Sequence, residues 1–393
     1  MVSQMTFNPL PAVVIGGPPH SGKSVLAYGL TQALRAREVE HYVLRAYPPD
    51  YEGDWFLACD QEQVRHLRLK GAQSEAWLPL VQRDIARRHL PLIVDLGGLP
   101  TPEQEALLDV CTHGILLTPD DATREQWQAR FARHGLVLLA DIRSALEGET
   151  RLESQEPLLT GVLAGLERGR QASGSTFEAL VERLSQLFTR ATHGLRRQHL
   201  ETALVELAVD VDGMARSLGR DARAWLPEDL PAVLDYLPEG RPLALYGRGP
   251  NWLYAAVAVH ALPAPFHLFD VRLGWIESPA LEFGECLTDA PLQARVTRIP
   301  QGRVVTFQLV DAYLDLDRAQ DLRVPFADGE GGVVLNGKLP HWLWCALARA
   351  YRVAWRSRET PWLALFQPQT QGAVVIASRV PAPTVGTRLP LTP

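Results

Sequence analysis

The sequence predicts an α/β domain built on a parallel sheet, followed by two related α+β units. Three observations predict this fold class. Short apolar strands alternate with helix-length segments over roughly the first 200 residues. A glycine-rich loop follows the first of these strands. The rest of the chain contains one sequence unit twice, and the second copy lacks the reactive side chains of the first.

The N-terminal strands are short and apolar, as expected for a parallel sheet that helices cover on both faces. They are predicted at Ala12–Gly16, His41–Ala46, Leu92–Asp95, Ile115–Thr118 and Leu136–Ala140. The change in the pattern of strand-like and helix-like segments along the sequence predicts a first domain over 1–200. It also predicts a first repeat unit over 201–289 and a second over 290–393. The second unit is expected to begin with strands at Ala294–Arg298 and Val304–Leu309.

The glycine-rich loop matches the phosphate-binding pattern G-x-x-x-x-G-K-[ST] and lies between an apolar strand and a helical segment. Because Pro18 and Pro19 have no N–H group, the residues after them must supply the backbone donors for phosphate. Lys23 is expected to reach the β- and γ-phosphates, and the Ser24 hydroxyl to bind Mg²⁺. The predicted nucleotide-binding residues are Gly17, His20, Ser21, Gly22, Lys23, Ser24 and Asp95.

Asp95 ends an apolar strand and is expected to support Mg²⁺ together with Ser24, although a plain carboxylate at a turn is the alternative. Leu96-Gly97-Gly98 follows, where hydrolytic motor proteins carry an acidic residue. The sequence therefore predicts a P-loop NTPase-like domain of the kinase-like type that binds ATP with Mg²⁺. Asp50 and Asp54 are further acidic candidates, for which an acidic loop without function is an equal alternative.

The repeated unit begins at Leu243 and recurs at Val333, 90 positions later. The scaffold residues Gly247, Pro250, Trp252 and Leu253 recur as Gly337, Pro340, Trp342 and Leu343. The reactive residues do not recur: His260 corresponds to Ala350 and, after a seven-residue insertion, Asp270 and Arg272 correspond to Gln367 and Gln369. This pattern favours one reactive unit and one degenerate, supporting unit.

Each copy runs strand, glycine turn, proline and helix, so backbone donors at a helix N-terminus lie beside a cation. Such a turn can hold a phosphodiester, and it can also be a structural turn that needs glycine for its geometry alone. The tryptophans could stack on a base or pack in the core. The predicted ligand-binding residues are Gly247, Arg248, Gly249, Asn251, Trp252 and Lys338.

His260, Asp270 and Arg272 are the candidate catalytic residues. A histidine at a helix end, a strand-end carboxylate and a guanidinium could provide proton transfer, orientation and a phosphate contact. His260 shares an apolar helix face with Leu253 and Val257, so a buried structural histidine is the alternative. Loss of all three residues together from the second copy favours function.

At these residues the chain resembles the CRISPR-associated ring nucleases of type III systems, in particular the small deadenylase-like subfamily fused to an AAA-like P-loop domain. The resemblance rests on Gly247–Tyr254, His260, Asp270–Gly274, Gly337–Trp344, Gly372–Ala377, and Gly17–Ser24 with Gly53–Trp55. It implies compact α+β units that dimerise, with two dimers enclosing one cyclic tetra-adenylate. It also implies catalytic roles for His260 and Asp270 and a phosphate contact for Arg272.

The resemblance implies a ring nuclease that binds and linearises cyclic oligoadenylate and so ends a type III CRISPR antiviral response. It also implies a homo-oligomer, with Mn²⁺ as a candidate metal for the nuclease. Two alternatives remain open. One is a non-cleaving cyclic-oligoadenylate sensor coupled to the P-loop domain, and the other is a P-loop small-molecule kinase with a dimerising C-terminal repeat.

Composition limits the other function classes. A net charge of −6 argues against a protein that coats duplex DNA. The four cysteines are scattered without a CxxC pair, which is typical of a reducing compartment. Neither a signal peptide nor a membrane-spanning run is recognisable, so the expected location is the cytoplasm.

Overall fold

The computed structural model describes residues 10–46, 77–167, 170–221, 224–285, 290–311, 313–355, 360–368 and 371–391. The chain forms two compact units. Unit 1 comprises 1–196 with Val271–Leu273, and unit 2 comprises Arg197–Asp270 with Gly274–Pro393. Both repeat copies therefore belong to unit 2. Asp50 and Asp54 lie outside the described residues.

Unit 1 contains a seven-stranded sheet in the order β2-β3-β1-β4-β5-β7-β6. Every neighbouring pair is parallel except β6 with β7. The strands are β1 (Ala12–Gly16), β2 (Tyr42–Arg45), β3 (Leu92–Asp95), β4 (His113–Thr118), β5 (Val137–Ala145), β6 (Arg151–Ser154) and β7 (Leu159–Ala164). The first five confirm the strands that the apolar runs predict, and they differ from the prediction only at their ends.

The helices of unit 1 are α1 (Lys23–Ala36), α2 (Trp77–Ala86), α3 (Asp121–Arg133) and α4 (Ser175–Thr192). A 3-10 helix spans Gln104–Val110. Helix α4 carries Phe177, Leu180, Val181, Leu184 and Phe188 at helical spacing, and these side chains are buried. They share one hydrophobic core with α1 and with one face of the sheet. Burial of the central strands on both faces explains their continuous apolar runs.

Unit 2 contains a four-stranded sheet in the order β11-β10-β9-β8 and a six-stranded sheet in the order β13-β14-β16-β17-β18-β19. A two-stranded sheet pairs β12 with β15. The strands are β8 (Ala208–Asp210), β9 (Leu243–Tyr246), β10 (Phe266–Asp270), β11 (Gly274–Glu277), β12 (Glu282–Phe283), β13 (Leu292–Ile299), β14 (Gly302–Leu309), β15 (Arg323–Val324), β16 (Gly332–Gly337), β17 (Trp362–Gln367), β18 (Gly372–Ser378) and β19 (Arg388–Pro390).

Helix α5 (Leu195–Glu201) begins at the end of unit 1. Unit 2 then contains α6 (Val211–Ser217), α7 (Leu230–Tyr236), α8 (Asn251–His260) and α9 (His341–Ala354). Short 3-10 helices span Pro227–Asp229 and Leu316–Asp321. None of the helices in the described ranges is long and apolar enough to cross a membrane.

The two sequence copies share their strand pairing. In the first, Phe266 pairs with Leu243 in parallel, and in the second Leu363 pairs with Val333 in parallel. In each copy a further strand pairs in parallel on one side, β8 with β9 and β14 with β16. An antiparallel strand pairs on the other side, β11 with β10 and β18 with β17. The duplicated sequence therefore folds into duplicated topology with the same register.

Candidate functional site

The backbone of the glycine-rich loop of unit 1 requires glycine at two positions. The loop 17–22 connects β1 to α1, and both Gly17 and Gly22 have positive φ, +155° and +89°. A Cβ at Gly17 would lie 2.0 Å from the Leu117 carbonyl oxygen, and one at Gly22 would lie 2.6 Å from Leu166 Cβ. His20, between them, also has a positive φ of 63°. The loop therefore fits tightly between the ends of β4 and β7.

Lys23 folds back over this loop. Its Nζ donates hydrogen bonds to the Gly17 carbonyl at 2.8 Å and to the Pro18 carbonyl, and only 5% of the residue is exposed. Burial lowers the pKa of Lys23 to about 8, against the opposing effect of the Asp95 carboxylate. An ammonium held on backbone carbonyls at the start of α1 is placed where the helix N-terminus also favours an anion.

Ser24 and Asp95 meet across 71 positions of sequence. The Ser24 hydroxyl donates to Asp95 Oδ2 at 2.7 Å, and the Gly97 N–H donates to Asp95 Oδ1 at 3.0 Å. The Arg45 guanidinium lies 3.9 Å from the same carboxylate. A hydroxyl beside a carboxylate offers the oxygen ligands that Mg²⁺ prefers. The structure thus brings together Gly17, Ser21, Gly22, Lys23, Ser24 and Asp95, all named from the sequence.

Ser144 is a contact of the loop that sequence reasoning missed. Its hydroxyl, at the end of β5, donates to the Ser21 carbonyl at 2.8 Å. No pattern in the sequence marks it, because the contact depends on β5 lying two strands away from β1 in the sheet. Ser144 therefore fixes the loop from the side opposite to Asp95.

Each glycine turn of unit 2 has a glycine with positive φ and a proline that caps the following helix. Gly247 and Gly337 have φ of 113° and 151°, and the prolines that cap the two helices have φ, ψ of −70°, 153° and −66°, 155°. The Leu253 N–H donates to Pro250 and the Leu343 N–H to Pro340, each at 3.0 Å. Each turn therefore leads into a helix whose first N–H groups have no acceptor within the helix.

The two copies pack through their helices with the same ends together. The His341 ring at the start of α9 stacks on Tyr254, one turn into α8, at 4.7 Å between centroids and 26° between planes. Near the other end, Arg349 donates to the Ala258 and Ala264 carbonyls at 2.8 and 2.9 Å. The Tyr254 hydroxyl donates to the Gly247 carbonyl at 2.6 Å. Both glycine turns therefore lie at one end of unit 2, which we call the turn edge.

Four of the predicted ligand residues lie at the turn edge outside the core: Arg248 is exposed, and Gly247, Gly249 and Asn251 are half-buried. Lys338 is half-buried at the same edge in the second copy. The pairing of Leu268 with Leu245, continued by two residues, places Asp270 beside Gly247. Arg272 follows in the three-residue turn between β10 and β11, a segment that groups with unit 1.

The structure corrects the expected grouping of His260 with Asp270 and Arg272. His260 ends α8, and Asn251 at the turn edge begins it, so about 15 Å of helix separates them. The His260 Nε2 donates to the Leu237 carbonyl at 2.9 Å, and its own carbonyl accepts from the Gly240 N–H just before β9. The strand that leads to Asp270 runs in the opposite direction to the helix. Within one chain His260 and Asp270 therefore lie at opposite edges of the sheet.

Trp252 is a second correction. Only 2% of Trp252 is exposed, and its counterpart Trp342 is fully buried. Both pack in the core between helix and sheet, where a base cannot reach them. The prediction of Trp252 as a ligand-binding residue is therefore wrong, and core packing is its role. The sequence comparison of the two copies does not single out His341, because the first copy has Asn251 at that position.

The described part of the chain contains no group of three or more histidine, cysteine, aspartate or glutamate side chains that could hold a metal ion. The expected Mn²⁺ thus has no ligand set of that kind within those residues. Unit 2 offers backbone donors and cations at the turn edge, and unit 1 offers a lysine, a hydroxyl and a carboxylate beside a helix N-terminus.

Part of the chain matches the model of a known protein family. Residues 307–390 match the family model described as CRISPR-associated protein (Cas_csx3). The match supports a CRISPR-associated role for the chain. It falls on the second repeat copy, from the end of β14 to β19, and so includes Lys338 and His341. No curated protein matches the chain.

Proposed function

We propose that the chain binds a cyclic oligoadenylate, with cyclic tetra-adenylate favoured, at the turn edge of unit 2 and opens the ring to end a type III CRISPR response. The observation that carries the proposal is a duplicated turn: two positive-φ glycines, each followed by a proline-capped helix, lie at one edge of one unit, and we call each of them a phosphate seat. A ligand with repeated phosphodiesters presents the same chemistry to both seats. The CRISPR-associated match in the second copy supports the same class of function.

Each seat has the donors that a phosphodiester needs. Gly247 and Gly249 are followed by the first turn of α8, whose N–H groups favour an anion. Arg248 adds a guanidinium that can make two parallel hydrogen bonds to phosphate. Lys338 adds an ammonium at the matching position of the second copy. The ligand is therefore held by both copies rather than by the first alone.

Ring opening requires proton transfer while the ribose 2′-hydroxyl attacks the adjacent phosphorus and the bond from phosphorus to the 5′-oxygen breaks. Asp270, beside the first turn, would take up the 2′-hydroxyl proton, and Arg272 is the proposed contact to the phosphate. His260 can protonate the departing 5′-oxygen only if a second copy of the chain presents it. The proposal therefore includes a homo-oligomer that encloses the ligand between copies.

For unit 1 we propose that the glycine-rich loop binds a nucleoside triphosphate together with Mg²⁺. The sequence favours ATP as this nucleotide. The residues present fit such a group, because Lys23, the Ser24 hydroxyl and the Asp95 carboxylate lie beside the N-terminus of α1. Bound nucleotide with Mg²⁺ would supply a phosphoryl group whose charge the metal neutralises. Lys23 would leave the Gly17 carbonyl to contact phosphate, and Ser24 and Asp95 would hold the metal.

Product analysis tests the nuclease proposal. Purified protein is incubated with cyclic tetra-adenylate, with and without ATP and divalent metal, and the products are separated by chromatography. Linear adenylates with a 2′,3′-cyclic phosphate are expected from wild type. The double substitution Arg248→Ala and Lys338→Ala removes one charge-assisted phosphate contact from each turn. It should weaken ligand binding by about 100-fold. Intact ring after prolonged incubation would contradict cleavage.

The second candidate function is a sensor that binds the ring without cutting it. It is favoured by the distance between His260 and Asp270 within one chain and by Gln367 in place of Asp270 in the second copy. A sensor predicts ligand binding at the turn edge with the ring intact under every condition. It also predicts that ligand binding changes the nucleotide affinity of unit 1, which titration of ATP with and without cyclic tetra-adenylate would measure.

A further inference from the structure

Three aromatic side chains lie side by side on the four-stranded sheet of unit 2, directly beside the turn edge. They are Tyr246 of β9, Phe269 of β10 and Trp275 of β11. Phe269 pairs with Trp275 across the antiparallel strands. The ring centroids are 4.8 Å apart between Tyr246 and Phe269 and 5.4 Å apart between Phe269 and Trp275. We call these three residues the aromatic row.

Each member of the aromatic row is joined along the chain to a residue of the first turn or its neighbour. The tyrosine precedes Gly247 of the first phosphate seat, and the phenylalanine precedes Asp270. The tryptophan follows Gly274, which pairs with Asp270 and ends the short turn that carries Arg272. The position of the row therefore determines where the backbone places the seat, the carboxylate and the guanidinium of the first copy.

His199 of α5 contacts all three members of the row. Its ring lies 4.3 Å from the Phe269 ring, measured between centroids. Its Nδ1 and the Tyr246 hydroxyl are hydrogen-bonded at 3.1 Å. Its backbone carbonyl accepts a hydrogen bond of 2.7 Å from the Trp275 indole N–H. Only 8% of His199 is exposed, so one buried residue fixes the three rings relative to each other.

The second copy of the repeat does not keep this row. By the strand pairing, its corresponding positions hold Asn336, Phe366 and Ala373. The Asn336 side chain donates instead to the Thr306 hydroxyl at 3.4 Å. Packing alone would favour the same row in both copies, since both have the same strand pairing. The row is found in the copy that has the reactive residues and is lost with them.

Resting on the proposed ring opening, we propose that His199 is a positioning residue for the first copy. It holds the aromatic row, and the row holds the first phosphate seat and the Asp270 carboxylate in the geometry that the reaction needs. His199 lies beneath the row and makes no contact with the ligand. Because a shift of about 1 Å at a reacting group can cost about 100-fold in rate, His199 acts on ring opening more than on binding.

Hydrogen exchange tests the positioning without a ligand. His199→Ala should raise amide exchange about tenfold in peptides over 246–250 and 270–275, because the row loses its support. The second turn, over 336–341, is the internal control and should exchange as in wild type. His193→Ala is the matched control, since His193 is an exposed histidine just before α5. It should change none of these peptides.

A second variant separates the contacts and remains informative where the alanine variant does not fold. His199→Phe keeps a ring against Phe269 and the backbone carbonyl for Trp275, and it removes the bond to Tyr246. It should raise exchange over 246–250 and leave 270–275 as in wild type. Equal exchange in wild type and both variants would overturn the proposal. An equal rise in the first and second turns would also overturn it, because it indicates general loss of stability.

Ring-opening kinetics measure the consequence for the reaction. With cyclic tetra-adenylate, His199→Ala should lower kcat about 10- to 100-fold and change the Kd of the ring less than about threefold. An equal loss in kcat and in affinity would contradict a positioning role. Failure of the proposed function gives a different result: wild type then leaves the ring intact, while the exchange experiment still decides whether His199 positions the first turn.

Discussion

The His260 imidazole donates a hydrogen bond of 2.9 Å to the Leu237 carbonyl, which ties the end of α8 to the residue after α7. The contact gives His260 a structural role in its own chain. Replacing His260 by alanine leaves the half-buried carbonyl without this donor and should lower the free energy of unfolding by about 1 kcal/mol. Chemical denaturation measures the change, and His260→Gln, which keeps a donor, should lose less. An unchanged midpoint in the alanine variant would contradict this role.

A mixing experiment tests whether His260 also serves catalysis in another copy of the chain. His260 and Asp270 lie at opposite edges of the sheet, so a complete site needs one from each of two copies. His260→Ala and Asp270→Asn should each abolish ring opening alone and should recover part of the activity when mixed.

In the mixed oligomer, some sites combine the intact His260 of one variant with the intact Asp270 of the other. Each variant mixed with wild type is the control for dilution. No recovery in an oligomer that mass spectrometry shows to be mixed would exclude shared sites.

The depressed pKa of Lys23 predicts proton uptake on nucleotide binding. In the free protein the pKa is about 8, lowered by burial. Phosphate favours the charged ammonium, so binding above pH 8 should take up close to one proton per site, and binding at pH 7 close to none. Calorimetry in two buffers of different ionisation enthalpy measures this uptake. Lys23→Arg, which stays charged, should show no uptake at pH 9.

The lowered pKa of Lys23 also makes the free energy of unfolding depend on pH. Because the folded pKa of Lys23 lies below the unfolded value of 10.5, the unfolded chain binds more protons between pH 8 and 10.5. The contribution of Lys23 should therefore make the protein more stable as pH rises through that window. A slope in wild type that Lys23→Met removes would confirm it, and identical slopes would contradict it.

The Ser24–Asp95 contact predicts that magnesium and nucleotide bind together. Ser24→Ala and Asp95→Asn should each reduce ATP affinity about tenfold or more in the presence of Mg²⁺, with little effect in EDTA. Ser24→Thr, which keeps the hydroxyl, is the matched control and should bind like wild type. Equal losses with and without Mg²⁺ would show that the pair supports the loop rather than the metal.

Arg349 is expected to hold the two repeat copies together. Its guanidinium donates to the Ala258 carbonyl at the end of α8 and to the Ala264 carbonyl before β10. Arg349→Ala removes both bonds and should cost about 2–4 kcal/mol of unfolding free energy. Arg349→Lys can restore one bond and should lose about half as much. A loss below about 0.5 kcal/mol in the alanine variant, which is the size of ordinary surface effects, would contradict this role.

Local sequence patterns determined the first five strands and the glycine-rich loop of this protein. The five N-terminal strands and the order strand, loop, helix around Gly17–Ser24 follow from short-range apolar runs and from the backbone demands of glycine. The same kind of pattern located both glycine turns of the repeat, because a turn and its helix cap are built within about ten residues. The resemblance to ring nucleases supplied the functional expectation that these patterns alone did not contain.

Only the tertiary structure decided which distant side chains meet. It joined Ser144 to Ser21 and His341 to Tyr254, and it separated His260 from Asp270. The physical reason is that strand order and helix direction depend on packing over the whole unit, while the sequence pattern reports only the local period. Loss of His260, Asp270 and Arg272 from the second copy suggested one compact site. The fold instead places His260 and Asp270 at opposite ends of a helix and the strand that returns beside it.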